Sequence, residues 1–292
     1  MGTVGVVQLS VHDAPALSEA LDWLVARFAK LGGLGCDLLV LPAGLEALFL
    51  SPRPTTADGL TDRLIEEAES LRSQAEACAA AVAQRLSVTV VAGPWFVPAT
   101  DRRVSREAIV VDASGHILGR QRQVCRSAAD RGLNLETVAS EETIATPAGL
   151  VGLLLGADVL FPEPARFLTL AGAEVLIHSP LWPRVSDAER RRGLWSRVQE
   201  NGRPGAESAL LASPWWGGID DQAVIYAPCH LTPQRDGILA SPDPILVRED
   251  TLLCVDVPLT DAPNTEAALA RLGHAPVRPF PRLLAGVYQH AV

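Results

Sequence analysis

Apolar positions along this chain follow two spacings. Short β-branched or leucine-rich runs at Val4–Leu9, Cys36–Leu41 and Ser87–Ala92 read as strands. Between them, Ala14–Leu31 and Leu60–Leu86 read as helices, the second carrying Leu64, Leu71 and Cys78 on one stripe with acidic residues interspersed. Ala108–Val111 and Ile117–Gln123 predict a hairpin about Asp112–Gly115. A strand at Leu150–Leu155, a helix at Phe161–Ala171 and a strand at Glu174–His178 follow. A helix over Ser186–Asn201 comes next, opened by the capping-box pattern Ser186-Asp-Ala-Glu189, then strands near Ala209, Ala223 and Leu252–Val257. Strand–helix alternation with added hairpins predicts an α/β fold. No repeat or linker interrupts it, so residues 1–292 are expected to form one domain. Prolines at 263, 276, 279 and 281 mark an extended arm at about 260–292, wrapped over itself or a partner subunit.

Composition narrows the partners. A chain of 292 residues with 48% hydrophobic content can bury a large core, and a net charge of −9 argues against nucleic acid or an anionic membrane. The basic run Arg190-Arg-Arg192 is a local exception, read as a solvated helix face or an interface. Five cysteines without regular spacing suggest reduced thiols in a cytoplasm, and Met1 leads straight into a strand with no targeting pattern. No apolar run reaches membrane-spanning length. One lysine against many arginines suggests a bacterial source with a GC-rich genome.

The most specific segment is Gly152-Leu-Leu-Leu-Gly156-Ala-Asp158-Val-Leu-Phe161-Pro162-Glu163-Pro-Ala-Arg166, followed by Gly172-Ala and by Ser179-Pro-Leu-Trp182-Pro. It resembles the core motif of the nitrilase, or carbon–nitrogen hydrolase, superfamily: a glycine and apolar stretch, Cys-x-Asp, then Phe-Pro-Glu, an arginine, and a later Gly-Ala. Every landmark is present except the cysteine, whose place Gly156 takes. The family glutamate follows a proline after the second strand; here Leu38-Leu-Val-Leu41-Pro42 leads into Ala43. The family lysine follows the hairpin; here Gln123 stands there, with Cys125 where a histidine is common. Arg197-Val-Gln-Glu200-Asn201 and the strand at 250–257 also resemble family landmarks, whereas the family's Ala-Asn strand end is read here at Leu211-Ala-Ser213, followed by Trp215-Trp216.

The resemblance implies a four-layer α-β-β-α sandwich over approximately residues 3–258, doubled by dimerisation through helices flanking the sheets. It implies thiolate chemistry that this chain lacks the groups to perform. The thiolate is the nucleophile, a carboxylate takes its proton, and an ammonium stabilises the charge that develops on the substrate. Losing the nucleophile alone from such a unit costs on the order of a million-fold in rate.

Substitutes are few. Lys30, the only lysine, lies at the end of the first predicted helix. Arg122 matches the residue before the family lysine and is expected to point away on an alternating strand. Glu46 lies three residues beyond Ala43 and is either an ordinary loop carboxylate or a displaced acid. The family's second glutamate has candidates at Glu136, Glu141 and Glu142, without an assignment. Asp158, Trp182 and Cys125 remain as pocket candidates, Asp158 and Arg166 being explicable by structure alone. Gly156 suits a tight strand-to-helix turn where other residues are strained. One of the two tryptophans is a candidate to fill the space the missing side chains leave.

Three functional classes follow: a scaffold without hydrolase activity acting as a binding or partner subunit, an enzyme running different chemistry in the same pocket, or an amide or nitrile hydrolase whose triad lies elsewhere. No catalytic residue, cofactor or metal is assigned. A homodimer or larger homo-oligomer is expected, with a catalytic homologue as a further candidate partner.

Overall fold

The computed structural model describes residues 2–11, 19–30, 35–50, 57–100, 103–127, 130, 135–138, 142–180, 187–211, 222–243 and 249–258. The chain divides into two compact units, Met1–Leu259 and Thr260–Val292. The second, which contains the expected proline-rich arm, lies outside the described residues, as do Trp182, Ser186, Trp215 and Trp216.

In the first unit the strands are β1 (Gly2–Ser10), β2 (Leu38–Val40), β3 (Thr89–Pro98), β4 (Val104–Val111), β5 (Ile117–Arg122), β6 (Ile144–Thr146), β7 (Gly149–Leu154), β8 (Val175–His178), β9 (Gly205–Glu207), β10 (Ala209–Leu211), β11 (Val224–Tyr226), β12 (Ile238–Ala240) and β13 (Thr251–Val257). The helices are α1 (Ala20–Lys30), α2 (Ala57–Glu66), α3 (Ala68–Leu86), α4 (Pro162–Leu170), α5 (Asp187–Arg190) and α6 (Leu194–Asn201). One sheet runs β10-β1-β2-β3-β4-β5, with β13 also paired to β1; the other runs β12-β11-β9-β8-β7-β6.

Side-chain alternation along the strands builds the layers. Val7, Leu9, Leu39 and Val90 face one way and pack with Leu24 and Phe28 of α1 and Leu71, Cys78 and Val82 of α3. Their neighbours Val4, Val6, Leu38, Val40 and Val91 face the other way, against Val151, Leu153, Val175 and Ile177 of the second sheet. The outer face of that sheet, through Leu154, Leu176 and Val224, packs on Ala165 and Leu168 of α4 and Leu194 and Val198 of α6. Three apolar clusters separate four layers, in the order α-β-β-α.

Several boundaries differ from the sequence reading. The long helix expected over 60–86 is two, broken at Glu67, whose φ of −100° and ψ of 11° leave the helical region. The helix expected over 186–201 is broken at Arg191–Gly193, where Gly193 adopts ψ −132°. Gly93-Pro94 does not end β3: the β3–β4 register shifts between Ala92 and Trp95, so the proline's missing N–H falls at a bulge and the strand continues to Pro98. The strand near Ala209 is also two. Its first part, β9, ends at Glu207 in one sheet; Ser208 crosses, and β10 joins β1 of the other.

That crossing is fixed by polar contacts. The hydroxyls of Ser208 and Ser179 donate to the Leu41 carbonyl at 2.9 and 3.0 Å, and the Ser208 amide donates to the His178 carbonyl at 3.2 Å. The ends of β2, β8 and β9 therefore meet at one end of the sandwich, the end that carries Gly156.

Candidate functional site

Gly152 starts the approach to the site. A Cβ there would lie 2.9 Å from the Leu168 Cβ and 3.2 Å from the Ala173 Cβ, so the bare strand lets α4 pack directly on β7. The chain then leaves β7 and enters a 3-10 turn over Gly156–Leu160. Gly156 has φ +51°, a left-handed conformation that suits a residue without a Cβ.

Gln123 lies directly against it. A Cβ on Gly156 would be 2.8 Å from Gln123 Oε1 and 3.3 Å from Arg106 Nη1. Arg106 Nη1 donates to Gln123 Oε1 at 3.2 Å and to Asp130 Oδ1 at 2.8 Å, while the guanidinium carbon sits 5.0 Å from the Phe96 ring centroid. Gln123 Nε2 donates to the Cys125 carbonyl at 2.5 Å and lies 3.4 Å from Asp130 Oδ2. Burial pushes the Asp130 carboxyl up, but the Arg106 charge and the Ser127 amide and hydroxyl outweigh it and hold the group below its ordinary range. Two positions inferred from motif alone, 123 and 156, are thus brought into contact, joined by an arginine the sequence reading passed over. Its signal was the charged pair Arg106-Glu107 at the start of β4, just before the apolar run Ala108–Val111.

Asp158 is a brace. Its Oδ1 accepts from the amides of Val124 at 3.0 Å and Cys125 at 2.6 Å, and its Oδ2 accepts from the Leu155 amide at 3.0 Å. The carboxylate ties the turn to the segment after β5. Burial pushes its pKa up to about 6 against these donors and the His178 charge. Beneath Gly156, His178 Nδ1 lies 2.8 Å from Glu207 Oε2, and its Nε2 lies 3.4 Å from the Gly156 carbonyl oxygen. This buried pair was also missed: each residue ends a short strand, and only sheet pairing across 29 positions brings them together.

Ala43 is fully buried just after β2. Glu46 lies in the following 3-10 turn, Leu45–Phe49, and is 3% exposed. Burial pushes its pKa up to about 7, opposed by its own backbone amide and by the Arg106 charge. Its Oε2 has no hydrogen-bond partner among the described residues, and it lines a cavity of about 20 Å³ with Trp95, Leu41 and Cys78. Glu46 is a buried acid within the field of Arg106, rather than an ordinary loop carboxylate.

The remaining candidates separate from this cluster. Arg120 and Arg122 turn to Glu107 at 2.9 and 3.2 Å, Arg120 also reaching Glu76 at 2.6 Å. Glu136 accepts from Thr100 at 2.6 Å and pairs with Arg103 at 3.0 Å. Arg166 Nη2 donates to the Glu200 carbonyl at 2.9 Å and pins α4 to α6. Lys30 ends α1, its side chain outside the described residues, and Glu141 lies outside them too. In the sequence Cys36, Cys78, Cys229 and Cys254 sit in or beside apolar runs and read as core residues. Cys36 and Cys78 are buried, and burial pushes both thiols up to about 12, but Cys229 is half-buried and Cys254, on β13, is exposed. Cys125 is half-buried, its backbone held between Gln123 and Asp158. Among the described residues no group of three His, Cys, Asp or Glu side chains could hold a metal ion. No helix among them is long and apolar enough to cross a membrane.

The two packed sheets, their outer helices and a strand-end turn braced by an aspartate define a sandwich of the nitrilase type. Residues 3–206 match the carbon–nitrogen hydrolase family, and the chain belongs to that family. No curated protein matches the chain. Among solved structures it is similar to a carbon–nitrogen hydrolase from Helicobacter pylori G27, with TM-score 0.72 and 17% identity over 97% of this chain and 98% of that one. It is also similar to an amidase from Nesterenkonia sp., with TM-score 0.68 and 19% identity over 92% and 95%. A variant of the amidase from Nesterenkonia sp. AN1, with TM-score 0.68 and 19% identity over 92% and 96%, shows covalent addition of the acetamide moiety of fluoroacetamide at its active-site cysteine. At these identities the likeness concerns the fold.

Proposed function

We propose that this protein keeps the carbon–nitrogen hydrolase fold without that family's thiol chemistry and works as a binding or partner subunit. The observation carrying the reading is the packing at Gly156. The space that a side chain at this turn would enter is taken by Gln123 Oε1 and Arg106 Nη1. On the motif reading Gly156, Gln123 and Ala43 stand in the cysteine, lysine and glutamate positions, so nucleophile, cation and proton acceptor are all replaced. The buried thiols Cys36 and Cys78, pushed up to about 12, hold negligible thiolate near neutrality.

Assays with short aliphatic amides and nitriles test this. The full chain is expected to show no turnover above background, and Gly156→Cys alone is expected to restore none, because Gln123 and Ala43 still stand where the cation and proton acceptor would be. Turnover by the unmodified chain that survives Cys125→Ala would overturn the reading.

A second reading, hydrolysis by non-standard residues in the same pocket, is favoured by one observation. Glu46 is a buried acid with a pKa of about 7 within the field of Arg106, a combination suited to proton transfer. It requires turnover abolished by Glu46→Gln.

The reading also includes a homodimer in a bacterial cytoplasm. Leu160, Phe161, Phe167 and Leu170, each roughly two-fifths exposed, give α4 and the turn before it an apolar outer face suited to a second copy. Sedimentation of the full chain checks this, a monomer at micromolar concentration counting against it.

A further inference from the structure

Arg106 uses only part of its hydrogen-bonding capacity. A guanidinium has five N–H donors in a fixed plane. Nη1 is occupied by Gln123 Oε1 and Asp130 Oδ1, whereas no hydrogen bond engages Nε or Nη2 among the described residues. The side chain is 21% exposed, so it is only partly covered.

Its position is set in advance. Phe96 supports the guanidinium face, Asp130 fixes one end, and Asp130 is itself held by the Ser127 amide and hydroxyl, each at 2.8 Å. A pre-held fork loses little rotamer freedom on binding, and its Nε–Nη2 edge matches the two oxygens of a carboxylate. Gly156 contributes by lacking a Cβ 3.3 Å from Nη1. Glu46, within the field of Arg106, has its pKa pushed up to about 7 by burial and is largely uncharged below that pH, so it competes weakly for the arginine.

We propose that the unused edge of Arg106 is the recognition element of a binding site for a small carboxylate at the Gly156 turn. This rests on the reading of that turn as a binding site and names its ligand class. A carboxylate accepts two hydrogen bonds from the fork, whereas a neutral amide offers one oxygen and places an N–H₂ against a donor. The site therefore prefers acids to amides of the same shape.

Acetate and its neutral isostere acetamide are the probes, titrated into the full chain at pH 6.5 while the Arg106 Nε–H resonance and the midpoint of thermal unfolding are followed. Acetate is expected to shift the resonance and raise the midpoint, with acetamide at least about ten-fold weaker, one tenfold step being 1.4 kcal/mol. Arg106→Lys, which keeps the charge but loses the fork, is expected to remove most of that preference, while Arg120→Lys leaves it intact. Equal or tighter binding of acetamide overturns the proposal, as does an unchanged preference in Arg106→Lys. Should that variant fail to fold, an unmodified chain whose Arg106 resonance does not move at saturating acetate overturns it too. Hydrolysis of acetamide alongside acetate binding would sink the inactive-scaffold reading and leave this inference standing.

Discussion

The middle of the sandwich and its Gly156 end are built on opposite principles. Between the sheets, Val6, Val40, Val151 and Ile177 pack in one apolar cluster, with the buried Gln8, whose Oε1 accepts from the Ala223 amide, as a polar exception on the same face. At the Gly156 end, Glu46, Asp158, His178 and Glu207 are all buried, and Glu46 Oε2 and Glu207 Oε1 lack hydrogen-bond partners among the described residues. Burying carboxyls is costly unless they are fully paired. A chain selected for stability alone would have replaced them with apolar residues. Four buried polar side chains are thus gathered at the end that carries Gly156.

Four perturbations sharpen or break this contrast. The largest effect is expected at Asp158, which satisfies three backbone amides. Asp158→Ala should cost at least about 3 kcal/mol in denaturant unfolding, since each orphaned buried donor costs about 1–3 kcal/mol. A loss below 1 kcal/mol would mean that the brace is dispensable.

The pH dependence comes next. Glu46 and Asp158 have folded pKa values of about 7 and about 6, above their ordinary ranges. A raised carboxyl binds its proton more tightly when folded, so its stabilising contribution is complete at low pH and is lost as pH rises through the folded pKa. Stability should fall between pH 4.5 and 7, with Glu46 contributing on the order of 3 kcal/mol. Glu46→Gln should remove about half of that slope. Groups held low, such as Asp130, act at lower pH and with the opposite sign.

In the packed region, Gly152→Ala forces a Cβ to 2.9 Å from the Leu168 Cβ and should cost about 1–3 kcal/mol by overpacking. Ser208→Ala should cost about 1 kcal/mol, because Ser179 still donates to the Leu41 carbonyl. If Gly152→Ala proves costlier than Asp158→Ala, the division between a packed middle and a polar end fails.

Much of this architecture was legible in the residues. The runs Val4–Leu9 and Leu150–Leu155 announced buried strands, and Asp112–Gly115 announced its turn, in which Asp112 Oδ1 accepts from the Ser114 and His116 amides at 2.8 and 2.9 Å. The motif at 152–166 located the Gly156 turn. What escaped depended on distance in sequence or on brevity. Arg106 meets Asp130 and Gln123 only because β4 and β5 pair, and His178 meets Glu207 only because β8 and β9 do. β6 and β12 are three residues each, too short for alternation to register. The break at Glu67 leaves no proline or glycine as a marker.

The single-residue passage at Ser208 has a mechanical consequence. Because β9 and β10 belong to different sheets with one residue between them, the sheets have no slack tether across which to separate. Prying the two β-layers apart would unzip β10 from β1. Hydrogen exchange at the Leu9 and Leu211 amides should then report only global opening of the fold.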